Sequence, residues 1–273
     1  MKRTNGIFAA ALAAALTAGG VWAQQKAPQP KSQKEVDALQ AVSKATTPDE
    51  QLKAIDNVLL NFADTEYKVP LLQMAVNVAS QKGDYAATTT YSERLLAADP
   101  KNIFALSTMA REIPNHTREF DLDKDEKLAK AEKYAKETLE DAPAAPKPNP
   151  QITDEQWEKA KKEFVVEAHA DLGKIDELRK QNDAAINEFK TAQDMSPEPS
   201  AVITANLGDA YLKAGKYDDA IAAFDKAAAM PDANAQVKAF IAAKKAEAAK
   251  AKTSGAKPAS GATAAPGQVE IKK

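Results

Sequence analysis

The sequence contains no cysteine. That excludes a disulfide framework, thiol catalysis and a lipid-modified cysteine at an export junction. Its two histidines, His116 and His169, are far apart and neither has a ligand-type residue four positions on, so the paired spacing of a metal site is missing. Glycine numbers 10 of 273 residues and aromatics make up 6%, while Ala, Lys, Glu and Asp dominate, a balance that favours helix. No phosphate loop, dinucleotide fingerprint or serine-nucleophile elbow occurs. Nor is there a basic stripe of the kind nucleic acid requires. Beyond the first 23 residues no apolar run is long enough to cross a bilayer.

What is present begins with MKRTNGIFAAALAAALTAGGVWAQQ. Lys2 and Arg3 form a basic start, Ile7 to Ala18 an apolar run, and Val21-Trp22-Ala23 a small-residue cleavage pattern, so residues 1–23 read as a secretory signal peptide. Cleavage after Ala23 leaves 250 residues and moves the net charge from −2 to −4. The expected product is exported across the inner membrane, to the periplasm in a bacterium with two membranes, with no membrane span left. Residues 24–32 are predicted to be a disordered lead-in, 33–252 a single helical domain, and the Ala/Gly/Pro-rich residues 253–273 a disordered tail.

Within the domain, apolar residues recur at helical spacing. Val36, Leu39 and Val42 share one face. TTPDEQLKAIDNVLLNF carries an N-cap at Thr47, Pro48 at the first helical position and Glu50 completing a capping box. Further helices are predicted over 66–82, 85–98 and 101–112, the last stopped by Pro114. Lys124 to Asp141 reads as a charged helix with Leu128, Ala131, Ala135 and Leu139 as its stripe. Thr153 with Gln156 opens a long helix bearing Trp157, Phe164, Ala168, Leu172 and Ile175 on one face, and 233–250 is the last helix. Two irregular stretches, 113–123 and the four-proline segment 141–153, interrupt the pattern as loops flanking one charged helix. The first carries His116, Arg118 and Phe120, and both are candidates for partner recognition.

Shifted by 35 residues, the chain overlays itself. Leu172, Gly173, Asp183, Ala185, Ile186, Phe189, Ala192 and Met195 meet Leu207, Gly208, Asp218, Ala220, Ile221, Phe224, Ala227 and Met230. The matches fall on small and large apolar positions, the signature of a repeated packing unit. Gly208 and Ala220 are expected where two antiparallel helices approach, Ala227 where the next repeat fits, and Leu207, Tyr211 and Phe224 between them.

Leu-Gly, Tyr three residues later, then Ala-x-x-x-Phe resembles the tetratricopeptide repeat, with Thr204 where that family has Trp and Pro231 one place short of its proline. His169 falls at the same Trp position one repeat earlier. Leu71 to Pro100 resembles the unit through Gly83-Asp84-Tyr85 and Asp99-Pro100, although Thr88 replaces an alanine and Tyr91 comes one place early. The resemblance implies an all-α solenoid of stacked helix-turn-helix hairpins with a C-terminal capping helix, each hairpin burying its apolar face on its neighbours. It also implies that first helices line a groove for a partner segment. Carried onto this chain, the groove positions are Gln73, Asn77, Glu167, Lys174, Asn206, Asp209 and Lys213. One subclass grips a terminal carboxylate with Lys, Asn and Arg. Asn77 fits, but Gln73, Phe104 and Glu167 stand where other members would, so that clamp is not expected.

Asp121, Asp123, Asp125 and Glu132 take positions 1, 3, 5 and 12 of a calcium loop, but Glu126 replaces the turn glycine at position 6. Acids capping a helix start explain them better. The expectation is therefore a non-enzymatic scaffold of the cell envelope, without cofactor or metal, that binds a protein or peptide through the groove. The alternative is an assembly subunit of an envelope complex with no free-peptide groove.

Overall fold

The structure is a computed structural model that describes residues 28–149, 151–198 and 200–254. The signal peptide, the first residues of the lead-in and residues 255–273 of the tail lie outside the described residues. Among those described there are helices and turns and no strand. The helices are α1 (Gln33–Lys44), α2 (Pro48–Asn61), α3 (Lys68–Gln81), α4 (Tyr85–Ala98), α5 (Ile103–Asn115), α6 (Lys124–Asp141), α7 (Asp154–Leu178), α8 (Asn182–Met195), α9 (Ala201–Lys213), α10 (Tyr217–Ala228) and α11 (Ala235–Ser254), with a 3-10 turn at Ala142–Ala144. They form two compact units.

The first unit holds residues 28–116 and 136–164. Its α1–α2 and α3–α4 pairs are antiparallel hairpins packed in sequence, with α5 against α4. The expected capping box at Thr47 and Glu50 is formed. One core joins Leu39, Val42, Leu52, Ile55, Val58, Leu71, Leu72, Val76 and Leu95. Three local features differ from the sequence expectation. Helix α5 runs through Pro114 and ends at Asn115; a proline in the last turn forfeits one bond of a ladder that is already ending, and the His116 N–H closes onto the Glu112 carbonyl. The lead-in is tied down from Pro28: Tyr67 OH donates to the Pro28 carbonyl at 2.8 Å, and the Lys31 N–H donates to Glu35 at 2.6 Å. Glu35 is buried and also accepts from Thr65 Oγ1 at 2.7 Å, because a buried carboxylate demands donors. The proline segment is packed as well. Ala142 and Ile152 are buried, Trp157 Nε1 donates to the Ala145 carbonyl at 2.9 Å, and Lys161 Nζ donates to that of Pro143.

The second unit holds residues 117–135 and 165–254. Its two 35-residue repeats are built on one device. A Cβ placed on Gly173 would meet the ring of Phe189 at 2.8 Å, and one on Gly208 the ring of Phe224 at 2.7 Å. Each glycine is thus a socket for the phenylalanine of its own hairpin, rather than the expected backbone approach of Gly208 to Ala220. Both rings are fully buried. Leu172, Ala185, Ala192, Leu207, Ala220 and Ala227 are buried beside them and Tyr211 partly so. Helix α11 packs on α10 and α9 through Ile241 and Ala248.

Three hairpin turns share one hydrogen-bond pattern. Gly83, Lys180 and Gly215 each donate to the carbonyl three residues back, and the following residue donates to the carbonyl five residues before itself, a Schellman closure. All three have left-handed backbones, at φ 69°, 63° and 74°. Lys180 holds, without glycine's freedom, the place Gly215 occupies one repeat later.

Candidate functional site

The first helices of the second unit's hairpins carry five of the seven proposed groove residues. Lys174 and Glu167 are on α7, and Asn206, Asp209 and Lys213 are on α9. The structure joins three of these in a row of alternating charge. Lys174 Nζ lies 2.9 Å from Glu177 Oε1, and Lys213 pairs with the same oxygen. Lys213 is also 2.9 Å from Asp209 Oδ2. From α11, Lys244 lies 3.1 Å from Asp209 Oδ1 and 3.2 Å from Glu247. The Lys244 contact supplies charge without an aligned hydrogen bond to that oxygen. Three lysines thus face three carboxylates, and the Glu177 and Asp209 side chains are almost wholly covered, at 3% and 7% exposure.

Burial alone would push the Asp209 carboxyl up, but Lys213 and Lys244 outweigh it and hold it below the usual carboxylate range. Burial would likewise lower Lys213 and Lys244; Glu177 and Asp209 raise the first, and Asp209 and Glu247 the second. A general acid or base working near neutrality needs the reverse, a raised carboxyl or a lowered amine. The row is fitted to hold helices together. The remaining candidates sit apart from it: Asn206 is half-exposed, as is Glu167. In the first unit, Gln73 and Asn77 are half-exposed on α3, with Asn77 Oδ1 accepting from Gln81 at 3.3 Å.

Sequence reading missed Glu177 and Lys244. A signal for Glu177 exists: its mate one repeat later is the buried Leu212, and an acid at a repeat position that is otherwise apolar calls for a cation. Lys244 carries no such mark, because only the docking of α11 brings it to Asp209.

The histidines have structural partners. His169 Nδ1 lies 2.7 Å from Glu188 on the facing helix of its hairpin. His116, largely exposed, stacks on Tyr85 at 4.1 Å. The acids of the calcium-like stretch surround a lysine: Lys127 Nζ is 3.0 Å from Asp121 and 2.9 Å from Asp123, and Asp121 accepts the Arg118 N–H. Helix α6 starts at Lys124, so the loop a calcium ion needs is helix from its fourth position on. Among the described residues no group of three His, Asp or Glu is placed to hold a metal, and no helix is long and apolar enough to cross a membrane.

Residues 178–244 match the tetratricopeptide repeat family model. No curated protein matches the chain. Among solved structures, a thermophilic tetratricopeptide repeat protein of Thermus thermophilus aligns at 16% identity over 77% of this chain and 95% of its own, with a TM-score of 0.51. MamA protein aligns at 18% identity over 68% of this chain and 89% of its own, with a TM-score of 0.43. A tetratricopeptide repeat protein of Parabacteroides merdae aligns at 11% identity over 78% of this chain and 99% of its own, with a TM-score of 0.33. The first of these shares the fold. The Gly208–Phe224 socket lies inside the family match and the Gly173 one just before it, so residues 178–244 are tetratricopeptide repeat and the chain has the fold of a tetratricopeptide repeat protein.

Proposed function

We propose that the protein is an exported, non-enzymatic scaffold of the cell envelope that binds a partner protein or peptide segment along the first helices of its hairpins. The fold supports a protein-interaction role in general. The observation that carries the finer reading is that the first helices keep uncharged amide groups half-exposed, Gln73 and Asn77 on α3 and Asn206 on α9, while Lys174, Asp209 and Lys213 are taken up by ion pairs along the row. Contact with the partner is then through amide hydrogen bonds and shape. The same pairing favours a second reading, an assembly subunit with no free-peptide groove, because Lys174 and Lys213 already have carboxylates as partners. Export rests on residues 1–23.

A photo-crosslinking residue at Asn206, and separately at Gln73, in the chain expressed in its own cells separates the readings. One discrete adduct from Asn206 in the envelope fraction supports the groove. A stoichiometric complex with no adduct at either position favours the assembly subunit. The mass of the protein released by osmotic shock checks export: a chain beginning at Gln24 is expected, and retention of residue 1 in the cytoplasm would refute it.

A further inference from the structure

The loop from Thr117 to Asp123 carries the two most exposed large apolar side chains among the described residues. Phe120 is 91% and Leu122 107% exposed. The loop is not slack. Asp121 accepts the Arg118 N–H at 3.1 Å and the Asp121 N–H returns to the Arg118 carbonyl. Glu119 is held by Lys124 at 3.0 Å and by Lys180 at 2.7 Å. Lys127 clasps Asp121 and Asp123, and Thr117 is buried at the loop's start. Ties to Lys180, to Lys124 and to Lys127 fix the backbone while its apolar residues at alternate positions stand in water. Exposed apolar residues are ordinary when scattered. Two held on a tethered loop are not, since ordering entropy has already been spent on groups that gain nothing from the fold.

We infer that Phe120 and Leu122 form a two-pronged peg that inserts into an apolar pocket on a partner protein, and that the pocket is rimmed by Lys and Arg. This deepens the scaffold reading and rests on it. The rim follows from charge. Residues 117–127 and the Lys180 bound to them hold Arg118, Lys124, Lys127 and Lys180 against Glu119, Asp121, Asp123, Asp125 and Glu126, a net −1. That field repels an anionic lipid surface and the same loop of a second copy, and it attracts a cationic rim. A preordered aromatic–aliphatic pair at the centre with charges around it has the anatomy of a binding hot spot.

The probe is a labelled amphipathic helical peptide of Leu and Lys, with a Leu/Glu peptide of the same pattern as its control, titrated with the full chain by fluorescence anisotropy. Saturable binding of the Leu/Lys peptide is expected, weakened about tenfold or more in Phe120→Ser/Leu122→Ser. Neither side chain packs in the fold, so the thermal midpoint should not move; Phe120→Ala alone serves if the double variant misbehaves. Equal binding by the double variant, no binding by either form, or equal binding of the Leu/Glu peptide overturns the inference. So does binding that appears only in a chain ending at Ser254, which would make residues 255–273 the peg's occupant, or peg-dependent sedimentation with neutral lipid vesicles. An Asn206 adduct that persists in the double variant while the peptide result fails leaves the scaffold reading standing and removes the peg alone.

Discussion

Hairpins α3–α4 and α9–α10 close with the same turn but fill the space between their helices with opposite partners. Counted from Gly83 and Gly215, Val76 stands where Gly208 stands, seven residues before, and Ser92 where Phe224 stands, nine residues after. All four are buried. The second unit sets nothing against a ring; the first sets a branched side chain at the glycine's place and a small one at the ring's. Close packing depends on the summed volume across an interface rather than on which helix supplies it. The difference also explains the early aromatic. Tyr91 is not the hairpin's phenylalanine displaced by one. It serves α2, donating from its hydroxyl to Asp56 at 2.6 Å, while Arg94 pairs with the same carboxylate at 2.9 Å. Burial first, and then the hydrogen bond to Asp56, raise that hydroxyl above its ordinary pKa.

The comparison breaks hardest at the socket. Gly208→Val puts a branched side chain against a fully buried ring, and a loss on the order of 3 kcal/mol in urea unfolding is expected. Adding Phe224→Ser transplants the first unit's solution. The double variant should be more stable than the sum of the single losses by at least about 1 kcal/mol. Strict additivity would mean that the two positions do not share a socket.

Acid should come next, through the charge row that the first unit lacks at α3. Asp209 has a depressed folded pKa, so its contribution is present above the unfolded value near about 3.9 and is lost as pH falls through the lower folded value. Lys213 and Lys244 are raised, so theirs is present below about 10.4 and lost as pH climbs past the folded values. The row therefore stabilises between roughly pH 4 and 10. A pH series of urea midpoints should show Asp209→Asn with a shallower acid limb than the parent; identical limbs would remove the row from the account.

Ser92 tests the first unit's solution. Its hydroxyl is buried without a hydrogen-bond partner, so Ser92→Ala should gain about 1 kcal/mol. A loss would reveal that the hydroxyl is satisfied. The smallest effect is at the turn. Lys180→Gly relieves a left-handed lysine at φ 63° and should raise stability by about 0.5–1 kcal/mol, and a drop in the thermal midpoint would mean that its link to Glu119 outweighs the backbone strain.

Helices, caps and the 35-residue unit follow from the sequence alone, because spacing, Thr47 with Glu50 and Thr153 with Gln156 act within a turn or two of chain. So did the glycines and phenylalanines as repeat positions. Only the tertiary structure decided that Gly173 receives Phe189 and Gly208 receives Phe224, that Lys213 and Asp209 are consumed by Glu177 and Lys244, and that the proline segment is packed while the Phe120 loop is offered to solvent. The physical reason is range. Hydrogen-bonded turns and periodicity are written in neighbouring residues, whereas burial and charge pairing depend on which distant side chains share a space, and that is set when the helices dock.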